Sequence, residues 1–215
     1  MIDDSNLYPH QNQPVEKKGA PLSESRAVVI MVHGRGATAE SILTLAEEFK
    51  QPDVAYLAPQ ARDNTWYPHT FLAPLSQNSP GISSALLAIG ELLEQVEQAG
   101  IGKERVVLFG FSQGACLVTE YAARNTGRYG GIVGLSGGLI GPDGASRDYK
   151  GSLEQTPVFL GCSDVDFHIP LQRVNETADV LAGLNGRVTK RIYEGMGHTV
   201  NQDEVDFIRN LLKDM

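Results

Sequence analysis

"RVVLFGFSQGACLVTEYAARN", Arg105 to Asn125, decides how this chain is read. Val106 to Phe111 is apolar without polar alternation, as a strand buried on both faces requires. From about Ser112 to Asn125 the pattern turns helical, so a strand runs straight into a helix. That junction is one half of a strand-helix-strand unit, and the flanking sequence repeats it.

Upstream, "RAVVIMVHG" (26–34) and "VAYLAPQ" (54–60) read as further buried strands. A helix over 38–50 separates them. Downstream come "GGIVGLSGG" (130–138), "TPVFLGCS" (156–163) and "RVTKRIYEG" (187–195). Ile82, Leu86, Ile89, Leu93 and Val96 keep helical spacing within 81–99, Pro170 opens a helix to about Leu184, and 201–215 closes the chain as a helix. This alternation predicts an α/β fold with a mostly parallel central sheet and helices on both faces. In such sheets ligands bind beyond the carboxyl ends of the strands.

The chain has 215 residues, which suits one domain. Residues 1–25 are polar and hold three prolines, and read as a partly irregular arm or one short edge strand ahead of a domain over 26–215. The segment 61–81, "ARDNTWYPHTFLAPLSQNSPG", is a long aromatic loop punctuated by proline. The glycine-rich connection between 138 and 156 reads as a mobile loop.

Composition excludes several classes of function. Hydrophobic content is 41%, charged content 20% and net charge −8, with no cluster of Lys and Arg on a predicted helix face. Nucleic acid and anionic membrane surfaces are therefore not expected partners. The two cysteines, Cys116 and Cys162, need no disulfide scaffold and fit a reducing compartment. No Cys/His cluster offers a metal site, and no cofactor is expected. The start carries no basic-then-apolar leader and no segment approaches a membrane span, so a cytoplasmic location is expected. Monomer and homodimer both stay open.

"GFSQG", Gly110 to Gly114, sits at the strand-helix junction. Small residues flanking a serine there let the backbone turn sharply and expose the hydroxyl of Ser112 at the helix start. A serine before a helix is also a common cap, but a cap does not need two glycines at that spacing. A serine nucleophile requires an imidazole, and the imidazole a carboxylate. In this setting they follow in the order Ser, acid, His. Asp164 and Asp166 in "GCSDVDFHIP" (161–170) and His198 in "EGMGHTV" (194–200) supply it. His10, His33, His69 and His168 do not follow the acid by a strand. Donors for a developing oxyanion come from the backbone N–H of Gln113 and, through "HGRGA" (33–37), that of Arg35. The Arg35 side chain is either solvated or directed at an acidic or polar acyl group. Spacing alone does not choose between Asp164 and Asp166, and the one not used would hold its loop by bonding backbone N–H groups.

Together "HGRGA", "YLAPQA", "TWYPHTF", "GFSQGA", "SDVDFHIP" and "GMGH" resemble the small α/β-hydrolases of the phospholipase/carboxylesterase family, which includes the acyl-protein thioesterases. The resemblance spans about 28–200. It implies a core without a large lid, no metal, and hydrolysis of carboxylic esters or thioesters; acyl chains of short to medium length are the expected substrates. Carried over, it makes Ser112 the nucleophile, His198 the base and Asp166 the acid. It also makes Trp66 and Tyr67 candidate walls of an acyl pocket; Phe167 and His168 are candidate substrate contacts from their place beside the acid. The chain departs from the family where many relatives have proline after the acid and this one has Phe167. Two other readings are a lactone hydrolase of the dienelactone type, which usually uses cysteine where this chain has Ser112, and a catalytically silent binding protein, which usually lacks a triad member.

Overall fold

Alternation along β2 (Ala27–Val32) assigns the two layers of the molecule. Val28, Ile30 and Val32 pack into one hydrophobic cluster, Ala27, Val29 and Met31 into the other. Successive strand residues point to opposite faces, and here both faces are buried, hence the unbroken apolar run. The computed structural model describes residues 7–215; residues 1–6 of the expected arm lie outside the described residues.

The remaining strands are β1 (Val15–Gly19), β3 (Val54–Pro59), β4 (Val106–Phe111), β5 (Gly131–Leu135), β6 (Pro157–Ser163) and β7 (Arg187–Tyr193). They form a sheet in the order β1-β3-β2-β4-β5-β6-β7, parallel except for β1, which runs antiparallel to β3. Part of the 1–25 segment is thus an edge strand. The first cluster is completed by α3 (Gly81–Gln98), α4 (Gln113–Arg124) and α5 (Leu171–Gly183), the second by α1 (Ala39–Leu43), α2 (Leu45–Phe49) and α6 (Gln202–Lys213). Among the described residues no helix is long and apolar enough to cross a membrane.

One expectation needs correction. The helix expected over 38–50 is two short helices broken at Thr44, where the Thr44 hydroxyl donates to the Ser41 carbonyl. Hydroxyl side chains that bond local backbone compete with the helical ladder. The connection after β5 is buried and bonded at its start, whereas residues 142–152 are exposed or half-buried. Residues 136–141 are buried, the Ile140 N–H donates to Glu120 Oε2, and the buried Arg173 guanidinium donates to the carbonyls of Leu139 and Gly141.

The chain passes from β2 outward to β3 and returns to β4 on β2's other side. The carboxyl ends of β2 and β4 therefore flank the switch point at which open α/β sheets form their crevice.

Candidate active site

Ser112 follows β4 directly, with φ 55° and ψ −117°. This backbone region is sparsely populated for a residue with a side chain and costs about 1–3 kcal/mol. The surroundings enforce it. A Cβ on Gly110 would lie 2.3 Å from the Gly114 carbonyl carbon, so only glycine lets the end of the strand press against the first helical turn. The Ser112 N–H donates to the Leu135 carbonyl and its carbonyl accepts from Cys116 N–H.

Asp166 leaves β6 on a short loop, and His198 leaves β7 on another. Ser163 Oγ accepts from the N–H groups of Val165 and Gly197, and Asp164 Oδ1 accepts from Gly195 N–H. These bonds stitch the two loops together and give Asp164 the loop-holding contact. His198 Nδ1 lies 2.7 Å from Asp166 Oδ2, and Nε2 lies 2.9 Å from Ser112 Oγ. The other oxygen of Asp166 accepts from the N–H groups of His168 and Ile169. Burial pushes the Asp166 carboxyl up, but the His198 hydrogen bond and the two N–H groups outweigh it, and the net shift is below the ordinary carboxylate value. An ionised carboxylate only accepts, so Nδ1 carries the proton and Nε2 is free to accept from the Ser112 hydroxyl.

Hydroxyl, imidazole and carboxylate stand in series at the wall of a cleft of about 480 Å³. Its lining includes Gly34, Arg35, Tyr67, Phe71, Gln113 and His168. Among the described residues the backbone N–H groups of Arg35 and Gln113 have no hydrogen-bond acceptor. The Arg35 guanidinium donates to the carbonyls of Pro68 and His69 and lies 5.9 Å from the centre of the Tyr67 ring. His168 meets His198 edge-on at 4.8 Å, with Phe167 beyond it at 4.3 Å. Phe167 itself is 81% exposed and outside the cleft lining.

Trp66 also lies outside the lining, buried behind it. Its indole N–H donates to the His33 carbonyl, its carbonyl accepts from His10, and both imidazoles pack on its ring at 5.0 Å. His33 in turn is used by Gly34 and Ala61, so both its nitrogens are satisfied within the fold. Cys116 is buried, and burial pushes its thiol up to about 11, the opposite of what a reactive thiol needs.

Some neighbours were not read from the sequence. Phe111 packs against the His198 ring at 5.0 Å, and the Gln113 side chain bridges Trp66 N–H and the Tyr67 carbonyl. The elbow motif marks both positions as adjacent to Ser112, but contacts 46 and 47 residues away in sequence leave no local trace.

A family model described as phospholipase/carboxylesterase matches residues 13–215. The chain belongs to the phospholipase/carboxylesterase family. A solved phospholipase/carboxylesterase from Dyadobacter fermentans is 41% identical, covering 97% of this chain and 99% of that one, with a TM-score of 0.91. The chain is also similar to acyl-protein thioesterase 1 of Gibberella zeae, 28% identical over 89% of this chain and 91% of the relative. With the protein of the same name in Saccharomyces cerevisiae it shares 25% identity over 90% of this chain and 95% of the relative. Like other members of the phospholipase/carboxylesterase family, it has the α/β-hydrolase fold and is an esterase- or thioesterase-type hydrolase.

Proposed function

We propose that the protein hydrolyses carboxylic esters or thioesters of short to medium acyl chains through an acyl-enzyme, with Ser112, His198 and Asp166 as its catalytic triad. The observation that carries this reading is the unbroken series Ser112 Oγ, His198 Nε2, His198 Nδ1, Asp166 Oδ2, with contacts of 2.9 and 2.7 Å. Such a series lets an otherwise weak nucleophile lose its proton as it attacks.

Ser112 Oγ bonds to the acyl carbon while its proton passes to His198 Nε2. Asp166 stabilises the resulting imidazolium and fixes the ring. The N–H groups of Arg35 and Gln113 receive the negative charge on the former carbonyl oxygen. As the tetrahedral species collapses, the C–O or C–S bond breaks and the leaving group takes the proton from His198. Water then repeats the sequence, with His198 as base, and releases the acid and free Ser112. Tyr67 and His168 line the acyl and leaving-group space, while Phe167 sits at the outer rim.

A thiol nucleophile, as a dienelactone-type mechanism would use, is not favoured, because Cys116 is enclosed and held neutral. Treatment with a fluorophosphonate probe tests the proposal. We expect one adduct on Ser112, lost in Ser112→Ala together with turnover of an aryl acetate. Undiminished turnover in that variant would sink the reading.

A further inference from the structure

The cleft carries a charge pattern unlike that of the molecule around it. The chain has a net charge of −8, yet no aspartate or glutamate lines the cleft. Its lining contains Arg35, His69, His168 and His198. Asp166, behind His198, has both oxygens occupied by His198 and by two backbone N–H groups. Asp164 is held by Gly195 and is not part of the lining.

Several arginines elsewhere in this chain are paired with carboxylates, while Arg105 and Arg128 donate to backbone carbonyls outside the cleft. Arg26, Arg124, Arg147, Arg173, Arg191 and Arg209 each meet a carboxylate at 2.6–2.8 Å. Arg35 meets none among the described residues; its partners are two backbone carbonyls and the face of Tyr67. Those contacts fix the guanidinium in place without cancelling its charge. An arginine cannot shed its proton, and its planar fork carries five N–H donors, so donors remain after two are used. A held, uncompensated fork on the exposed side of an acid-free cleft is suited to a carboxylate from outside.

We propose that Arg35 selects acyl groups that end in a carboxylate, so that the favoured substrates are half-esters or half-thioesters of short dicarboxylic acids. This rests on the triad reading above. In it the Arg35 backbone N–H faces the reacting carbonyl oxygen, which places the guanidinium one side-chain length from that carbonyl. A short diacid spans that interval, with one end acylating Ser112 and the other on the fork. Hydrolysis consumes one water and yields the free dicarboxylate and an alcohol or thiol. The distal carboxylate only binds.

The test compares kcat/KM for three para-nitrophenyl-type substrates: the hemiglutarate, the neutral valerate, and an acetate whose phenol carries the carboxylate instead. We expect the hemiglutarate to lead the valerate by about tenfold or more, the scale of one charge-assisted pair. The lead should shrink at high salt. In Arg35→Gln the hemiglutarate-to-valerate ratio should fall to about one, whereas Arg35→Lys should keep part of it. A purely structural role for Arg35, through Pro68 and His69, would slow both substrates alike and leave the ratio unchanged, which would overturn the proposal. A preference for the anionic leaving group over the anionic acyl group would also overturn it. Fluorophosphonate labelling of Ser112 in the same samples separates the two levels. Absence of labelling would remove the triad reading, whereas a labelled, ester-cleaving enzyme indifferent to the carboxylate would remove only the Arg35 assignment.

Discussion

A Cβ placed on Gly114 would lie 1.9 Å from the carbonyl oxygen of Val32, so α4 begins in backbone contact with the end of β2. This contact joins the serine elbow to the loop that carries Arg35. Gly114→Ala must push the two apart. We expect a loss of at least about 3 kcal/mol in stability, measured by urea unfolding. Turnover per folded molecule should also fall, because the two N–H groups proposed to hold the oxyanion, those of Arg35 and Gln113, would be moved apart. Wild-type stability in this variant would show that α4 can shift freely.

The two aspartates of the acid loop should separate cleanly. Asp166→Asn keeps the shape but leaves the imidazole without its carboxylate, and kcat should drop on the order of 10⁴-fold, the scale known for serine proteases. Asp164→Asn retains an oxygen for Gly195 N–H and should cost less than about tenfold. Equal losses in steady-state kinetics would mean that the wrong acid has been chosen.

Gln113 offers a way to separate binding from chemistry. Gln113→Ala removes the bridge to Trp66 and Tyr67 and leaves two buried backbone groups unpaired, at a cost of about 1–3 kcal/mol. The residue's own N–H persists. KM should therefore rise more than kcat falls, as Tyr67 loosens on its loop. A collapse of kcat at unchanged KM would argue against this division.

Glu204 is buried under Gly161. One oxygen accepts from Asn201 N–H and the other has no partner among the described residues. Burial is the main cause that pushes its carboxyl from 4.5 up to about 7. The folded state thus holds this proton more tightly than the unfolded chain. The stability it contributes is complete below about 4.5 and is lost as pH rises through about 7. Glu204→Gln keeps an acceptor for Asn201 and cannot ionise. Between pH 5 and pH 8 the variant should gain on the wild type by on the order of 3 kcal/mol. Parallel denaturation curves at both pH values would contradict this.

Strand runs and the elbow were legible because they depend on neighbours in sequence. A parallel strand buried on both faces must be apolar throughout, as Val106 to Phe111 are, and a strained turn needs glycines at fixed offsets from Ser112. What could not be read depends on distant partners. Trp66 looks like a pocket wall until His10 and His33 are seen to enclose it. Arg173 and Glu120 look like solvent-facing helix charges, yet they are buried and fasten the loop after β5 through contacts 20 to 34 residues away. The break at Thr44 coincides with a hydroxyl bonded to the local Ser41 carbonyl, a detail that hydrophobic spacing does not register.

The short strand β1 bears on how the protein behaves in a crowded solution. Val15 to Gly19 pair along Pro59 to Ala55, covering one border of the sheet. The opposite border, β7, is studded with Arg187, Lys190 and Arg191, charges that discourage a neighbouring chain from docking. Residues 15–19 thus occupy the backbone ladder of β3 that would otherwise stand open. A chain lacking them would bare the ladder of β3, all of whose residues are buried, and is expected to self-associate, as light scattering would show.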